Sequence, residues 1–156
     1  MNTSELDSAV VFEPWRNAMV GDLVLIVEDN EKNLKLVRDL LQFKNYRTLE
    51  TGTAEVGIEL ARHHTPQLIL MDIQLPGMDG VTALGQLRAD PATAKIPVIA
   101  LTAFAMQEER QRFRSAGFDG YLVKPINIRE LLTVVGAFCE QHMPHTSPLS
   151  EAEGAP

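Results

Sequence analysis

Large apolar and β-branched side chains in this chain gather into five short runs. These are LVLIV at 23–27, YRTLE at 46–50, LILM at 68–71, IPVIAL at 96–101 and GYLV at 120–123. Runs this short and continuous are the signature of strands in a parallel sheet covered on both faces. Between them the spacing becomes helical. Leu34, Val37, Leu40 and Leu41 form one stripe, and Val81, Leu84 and Leu87 a second. Ile128, Leu131, Leu132, Val135, Phe138 and Cys139 form the longest, opening on NIRE, where Asn127 and Glu130 have the spacing of a capping box. QEERQRFRSA at 107–116 has the poorest apolar face and predicts the least firmly anchored helix. Five strands alternating with five helices predict an α/β domain, a (βα)5 doubly wound open parallel sheet. No internal repeat is visible.

The two ends break this pattern. Residues 142–156 are small, polar and proline-containing, and predict a disordered C-terminal tail. Residues 1–21 read as a partly flexible N-terminal extension that carries Val10, Val11, Phe12 and the single tryptophan, Trp15. Either part of this arm docks on the domain, or the arm reflects the choice of start codon, since Met19 is followed by VGDLVLIVEDN, itself a natural start. The ordered unit is expected at 22–141.

Composition narrows the function. A chain of 156 residues with 45% hydrophobic content has the size and apolar share of one globular domain. A formal charge of -7 argues against sequence-independent binding to nucleic acid or to anionic lipid. The lone Cys139 cannot close an internal disulfide and suits a reducing cytoplasm. No apolar run reaches membrane-spanning length, and the N-terminus lacks a basic start followed by an apolar stretch. The expectation is a cytoplasmic protein without membrane insertion.

In an open α/β sheet, ligands bind beyond the carboxyl ends of the strands. Glu28, Asp29 and Asn30 follow the first run, Asp72 ends the third, Thr102 and Ala103 end the fourth, and Lys124-Pro125 follows the fifth. Three carboxylates, a hydroxyl and an ammonium would thus converge. Like charges about 4 Å apart repel by roughly 4 kcal/mol at an effective dielectric near 20. A hard divalent cation relieves this, and a site that keeps positions open for water and phosphate suits Mg²⁺. A carboxylate can attack phosphorus to give an aspartyl phosphate, and phosphoryl transfer needs little beyond alignment and neutralised oxygens. Each feature alone has a blander reading: an acidic pair at a helix N-terminus, a turn threonine, a solvated lysine. Their joint occurrence at four strand ends favours the site. Lys-Pro could in addition hold a cis peptide that aims the lysine inward. The second acid of LILMDIQLPGMDG, Asp79, belongs to a turn and is expected to cap the third helix.

VLIVEDNEKNLKL, LILMDIQLPGMDG, IPVIALTAFA and GYLVKPI resemble the receiver domain of bacterial two-component response regulators over about residues 22–141. The spacing agrees as well, with 30 residues from Asp72 to Thr102 and 22 from Thr102 to Lys124. No output-domain pattern follows, so the resemblance is to single-domain regulators, and VEDNE, MDIQLP and TAFAM are most similar to the DivK type. The resemblance implies a flavodoxin-like sheet of strand order 2-1-3-4-5. It implies that Asp72 is the phosphoacceptor, supplied by a histidine kinase or histidine phosphotransferase. It places Mg²⁺, for which Mn²⁺ could substitute, on Glu28, Asp29, Asp72 and the main-chain carbonyl of Gln74. Lys124 would pair with phosphoryl oxygens, Thr102 would donate its hydroxyl, and the N–H groups of Ile73 and Ala103 would complete the cradle. Thr102 and Tyr121 would form the switch, altering the face of the fourth helix, fifth strand and fifth helix that a downstream protein partner reads. Gln74 and Phe104 occupy the positions that modulate the phosphorylated lifetime. The implied state is a monomer or a phosphorylation-dependent dimer.

Other functions fit less well. A phosphorylation-independent module that recruits a kinase or scaffold would not need the intact acid–Thr–Lys set. An Asp-nucleophile phosphatase needs a second acid two residues on, and Gln74 cannot protonate a leaving group. The expected role is therefore a phosphoacceptor signalling protein rather than an enzyme, one that assists its own phosphorylation and dephosphorylation. A flavin phosphate would need a Ser/Thr/Gly-rich cradle where Glu28-Asp29 stands. His63-His64 reads as a favourable helix C-terminus and His142 and His145 as tail residues, none of them metal ligands.

Overall fold

The computed structural model describes residues 22–104 and 106–139. The expectations for the arm at 1–21 and the tail at 142–156 lie outside the described residues. The elements are β1 (Leu23–Val27), α1 (Glu31–Phe43), β2 (Arg47–Thr51), α2 (Ala54–His64), β3 (Leu68–Asp72), α3 (Gly80–Ala89), β4 (Val98–Thr102), α4 (Gln107–Ala116), β5 (Gly120–Val123) and α5 (Ile128–Cys139). All strand pairs are parallel, in the order β2-β1-β3-β4-β5. This is the doubly wound (βα)5 sheet that the pattern predicts.

Strand boundaries differ from the apolar runs at both ends. Tyr46 stays out of β2 because its N–H closes the end of α1 on the Leu41 carbonyl at 3.0 Å. Ile96 stays out of β4 because its N–H turns back to the Thr93 carbonyl at 3.1 Å. At the other end, β2, β3 and β4 each run one residue past the apolar run and take in Thr51, Asp72 and Thr102.

Strand alternation sorts the core into two layers. Val24, Ile26, Leu68, Leu70, Ile99, Leu101 and Leu122 pack with Val37 and Leu41 of α1 and with Leu131, Val135 and Cys139 of α5. Leu25, Val27, Ile69, Met71, Val98 and Ala100 pack with α2, α3 and Phe113 of α4. Continuing the first set past the strand ends puts Glu28, Asp72 and Lys124 on the α1/α5 side. Thr102 and Tyr121 fall on the other side.

Side-chain caps begin four helices. Asn30 accepts from the N–H groups of Lys32 and Asn33 at 3.0 Å each, Thr53 from Val56 at 3.3 Å, Asp79 from Thr82 at 2.8 Å and Asn127 from Glu130 at 2.9 Å. Asp79 is thus a cap, as its turn context predicts. Met106, ahead of α4, offers no side-chain cap, and α4 buries only Phe113. The weak apolar face of that segment therefore does produce the most lightly held helix. No helix among the described residues is long and apolar enough to cross a membrane.

At the end of the sheet away from the acids, Arg88 of α3 ties three segments together. Its guanidinium donates to the carbonyls of Ala94 (3.0 Å), Ile96 (2.7 Å) and Gly117 (3.0 Å) and to Asp119 Oδ2 (2.9 Å). The same Asp119 oxygen accepts from the Val98 N–H at 2.9 Å, which fixes where β4 begins.

Candidate functional site

The pairing of β1 with β3 sets Val27 against Met71, so one residue further Glu28 stands beside Asp72. Both carboxylates are buried, at 1% and 2% exposure, whereas Asp29 is exposed. The pairing of β4 with β5 sets Thr102 against Val123, and the Lys124 N–H closes on the Thr102 carbonyl at 2.7 Å. From there Lys124 reaches back across β4. Its Nζ donates to Asp72 Oδ2 at 2.8 Å and lies 3.1 Å from Glu28 Oε1. The Lys124-Pro125 peptide is cis.

The remaining oxygens of the pair face different partners. Asp72 Oδ1 accepts from the Gln74 N–H at 2.9 Å, and Glu28 Oε2 accepts from the Asn30 N–H at 3.0 Å. Glu28 Oε1 is buried and lacks an aligned donor despite its nearness to the ammonium. Burial is the main cause that holds the Glu28 carboxyl above its ordinary range. The Asn30 N–H opposes it, the hydrogen bond and charge of Asp72 reinforce it, and the Lys124 charge opposes it. For Lys124, burial works downward, but the hydrogen bond and charge of Asp72, with those of Glu28, outweigh it and raise the ammonium.

Glu28, Asp29 and Asp72 each offer an oxygen, and these oxygens lie within 4.8 Å of one another. The donor set is all oxygen, it carries more negative charge than one lysine balances, and it includes a buried oxygen without an aligned donor. It suits a hard divalent cation of the Mg²⁺ class. Among the described residues no other group of three or more His, Cys, Asp or Glu has this arrangement. His63 instead sits in the last turn of α2 with Nδ1 2.9 Å from the Glu59 carbonyl.

Thr102 is buried, and its hydroxyl is held by a neighbour. It donates to the Phe104 carbonyl at 3.0 Å and accepts the Phe104 N–H at 3.1 Å. Gln74, Ala103 and Phe104, just beyond the ends of β3 and β4, are exposed. Tyr121, on the same side of the sheet as Thr102, is half-buried with the Arg110 guanidinium 5.9 Å from its ring centroid. It lines a groove of about 500 Å³ between α4 and α5, together with Leu122, Val123, Arg129 and Val134.

Most of the residues singled out from the sequence converge here, with one departure. The Ile73 N–H does not face the acids, because it completes the β3–β4 ladder on the Leu101 carbonyl at 3.0 Å. The main-chain donor directed at Asp72 is that of Gln74, one residue later. The signal for this was present in the sequence: Asp is the residue type whose carboxylate closes a turn on the N–H two positions on. Arg88 carried no such signal, since its four partners are main-chain carbonyls and one distant acid.

The chain is similar to known proteins in sequence and in fold. The family model described as "Response regulator receiver domain" matches residues 24–136. The polar-differentiation response regulator DivK of Brucella ovis is 44% identical over 115 residues, which cover 74% of this chain and 94% of DivK. Among solved structures, the receiver domain of sensor histidine kinase PA1611 from Pseudomonas aeruginosa superposes with a TM-score of 0.70 at 33% identity, covering 76% of this chain and 97% of that one. That structure holds a magnesium ion in its active-site cleft. A Francisella response regulator receiver domain gives a TM-score of 0.72 at 25% identity, with 77% and 98% covered. Profile, sequence and fold converge on one conclusion, that the chain belongs to the response regulator receiver domain family and is DivK-like within it.

Proposed function

We propose that the chain is a phosphoacceptor of a two-component or phosphorelay system, with Asp72 taking a phosphoryl group from a phosphohistidine protein. The observation that carries this reading is the Asp72 carboxylate, 2% exposed, held between Lys124 Nζ at 2.8 Å and the Gln74 N–H at 2.9 Å. A carboxylate oxygen of Asp72 attacks the phosphorus of the donor, the P–N bond breaks, and the imidazole leaves with the bond's electron pair and regains a proton. Glu28, Asp29, Asp72 and the Gln74 carbonyl would hold Mg²⁺, or Mn²⁺ in its place, which neutralises phosphoryl oxygens when bound. Lys124, already on Asp72 Oδ2, supplies positive charge beside the phosphoryl group. Thr102, Ala103 and the Gln74 N–H are the further donors near it, while the exposed Gln74 and Phe104 side chains border the path of an attacking water.

Signalling then follows from the Thr102 hydroxyl. Donation to a phosphoryl oxygen requires it to leave the Phe104 carbonyl, and Tyr121 on the same side of the sheet responds. The α4–β5–α5 face so altered is read by a downstream protein partner in the cytoplasm, as a monomer or through phosphorylation-dependent dimerisation. The donor is a histidine kinase or histidine phosphotransferase.

The test is labelling by a small phosphodonor. Wild-type protein with Mg²⁺ is expected to gain one phosphoryl group, and Asp72→Asn or chelation of the metal to abolish it. Wild-type protein that stays unlabelled under these conditions refutes the reading. Partner binding that is unaffected by Asp72→Asn supports the phosphorylation-independent module instead.

A further inference from the structure

We propose that Gly80 is a positioning residue for phosphoryl transfer, resting on the reading of Asp72 as phosphoacceptor. The helix α3 begins against the main chain of Asp72 and Ile73. A Cβ at Gly80 would lie 2.6 Å from the Asp72 carbonyl oxygen, 3.0 Å from Ile73 Cα and 3.2 Å from Met71 Cγ. Two of these three neighbours are backbone, which cannot swing aside as a side chain does. The Gly80 N–H meanwhile donates to the Ile73 carbonyl at 3.0 Å, and the Ile73 N–H is held by Leu101 on β4. Ile73 is thus clamped through its N–H to β4 and through its carbonyl to the first turn of α3, and only a residue without a side chain lets that turn close.

The second glycine of the helix shows that this is a local demand. A Cβ at Gly85 meets nothing within 4 Å, so Gly85 has no comparable steric reason. A helical glycine weakens its helix in either place. At Gly80 the close approach it permits offsets that. The residues it seats are those of the site: Asp72 itself and, two positions on, Gln74, whose N–H reaches Asp72 Oδ1 and whose carbonyl belongs to the proposed metal set.

The experiment compares Gly80→Ala, Gly85→Ala and Asp79→Ala with wild type. Asp79→Ala removes the cap of the same helix without adding a Cβ against Asp72. Two quantities are read: the amide chemical shifts of Asp72, Ile73 and Gln74 in metal-free protein, and the rate of labelling by a small phosphodonor at saturating Mg²⁺. Gly80→Ala is expected to move these three amides and to slow labelling at least tenfold even with saturating metal. Gly85→Ala and Asp79→Ala are expected to leave the rate within twofold of wild type. A folded Gly80→Ala protein with wild-type shifts and rate overturns the proposal. So does an Asp79→Ala protein slowed tenfold, which would show that any loosening of α3 suffices; this arm keeps the proposal refutable where Gly80→Ala does not fold. Failure of wild-type labelling bears on the phosphoacceptor reading, whereas the metal-free amide shifts bear on Gly80 alone.

Discussion

Glu28→Gln tests the electrostatic logic of the site, because its effect should change sign with metal. Glu28 and Asp72 offer oxygens within 4.8 Å of each other. At that outer distance two unit charges repel by about 3.5 kcal/mol at an effective dielectric near 20. Lys124 Nζ, 3.1 Å from Glu28 Oε1, attracts by about 5 kcal/mol on the same scale. Asp29 adds repulsion that water screens, so the Coulomb terms nearly cancel and burial decides. Glu28 is 1% exposed with one oxygen lacking an aligned donor, and ionising a group so placed is unfavourable. Gln keeps an acceptor for the Asn30 N–H and removes the charge. The expected gain in unfolding free energy of metal-free protein is about 1–2 kcal/mol at neutral pH.

The pH dependence has a definite sign. A carboxyl whose folded pKa is raised binds more protons in the folded state, so its ionisation lowers stability as pH rises from the reference value of 4.5 through the folded pKa. The gain from Glu28→Gln is therefore present above that window and closes as pH falls below 4.5. With Mg²⁺ the order should reverse, since the cation stabilises only a fold that retains its ligand. Urea unfolding in chelator and in saturating Mg²⁺, at pH 7.5 (about neutral) and near pH 4, measures all of this. A variant less stable than wild type in chelator, or one stabilised by Mg²⁺ as much as wild type, refutes the reasoning.

Three further outcomes are expected. Asp79→Ala should cost about 1 kcal/mol at neutral pH by loss of the α3 cap. The Thr82 N–H hydrogen bond chiefly depresses the Asp79 carboxyl, so its contribution is present above the reference value of 3.8 and is lost as pH falls through the folded pKa; denaturant curves at several pH values check this. Arg88→Met should cost about 3 kcal/mol, because four charge-assisted bonds vanish and three carbonyls lose a donor, and a loss under about 1 kcal/mol in urea unfolding would contradict the role given to Arg88. Thr102→Ala should still accept label on Asp72 yet leave the Tyr121 ring resonances unmoved on phosphorylation, whereas wild type shifts them.

What the sequence disclosed divides along physical lines. The sheet was legible because continuous apolar runs and helical stripes respond to burial, a local pattern with a global cause. The acids were legible because strand ends in such a sheet must meet, whichever residues occupy them. Two things were less accessible. Strand limits at Tyr46 and Ile96 were set by main-chain hydrogen bonds that reach backward from an apolar residue, and hydrophobicity does not report these. The difference between Glu28 and Asp29 was also hidden: adjacent carboxylates look alike in sequence, yet alternation buries one and exposes the other. Ile73 and Gln74 repeat that lesson in the main chain, where the ladder takes one N–H and leaves the next for the carboxylate.

The register of β1 against β3 has a consequence for which length changes the chain can accept. Glu28 meets Asp72 because Val27 pairs with Met71, a register that Gln67, just ahead of β3, reinforces by bonding both the N–H and the carbonyl of Leu23. One inserted residue in either strand would shift an acid by about 3.3 Å and turn it toward the opposite layer. Both strands are central, so no edge is available to absorb the slip. The strand β2, at the edge, contributes no site ligand and can drift at little chemical cost. Tolerance to insertion and deletion should therefore be uneven across the sheet: greatest in β2, lower in β4 and β5, whose ends carry Thr102 and Lys124, and lowest in β1 and β3, so that the reading frame of two short strands is the least editable part of the chain.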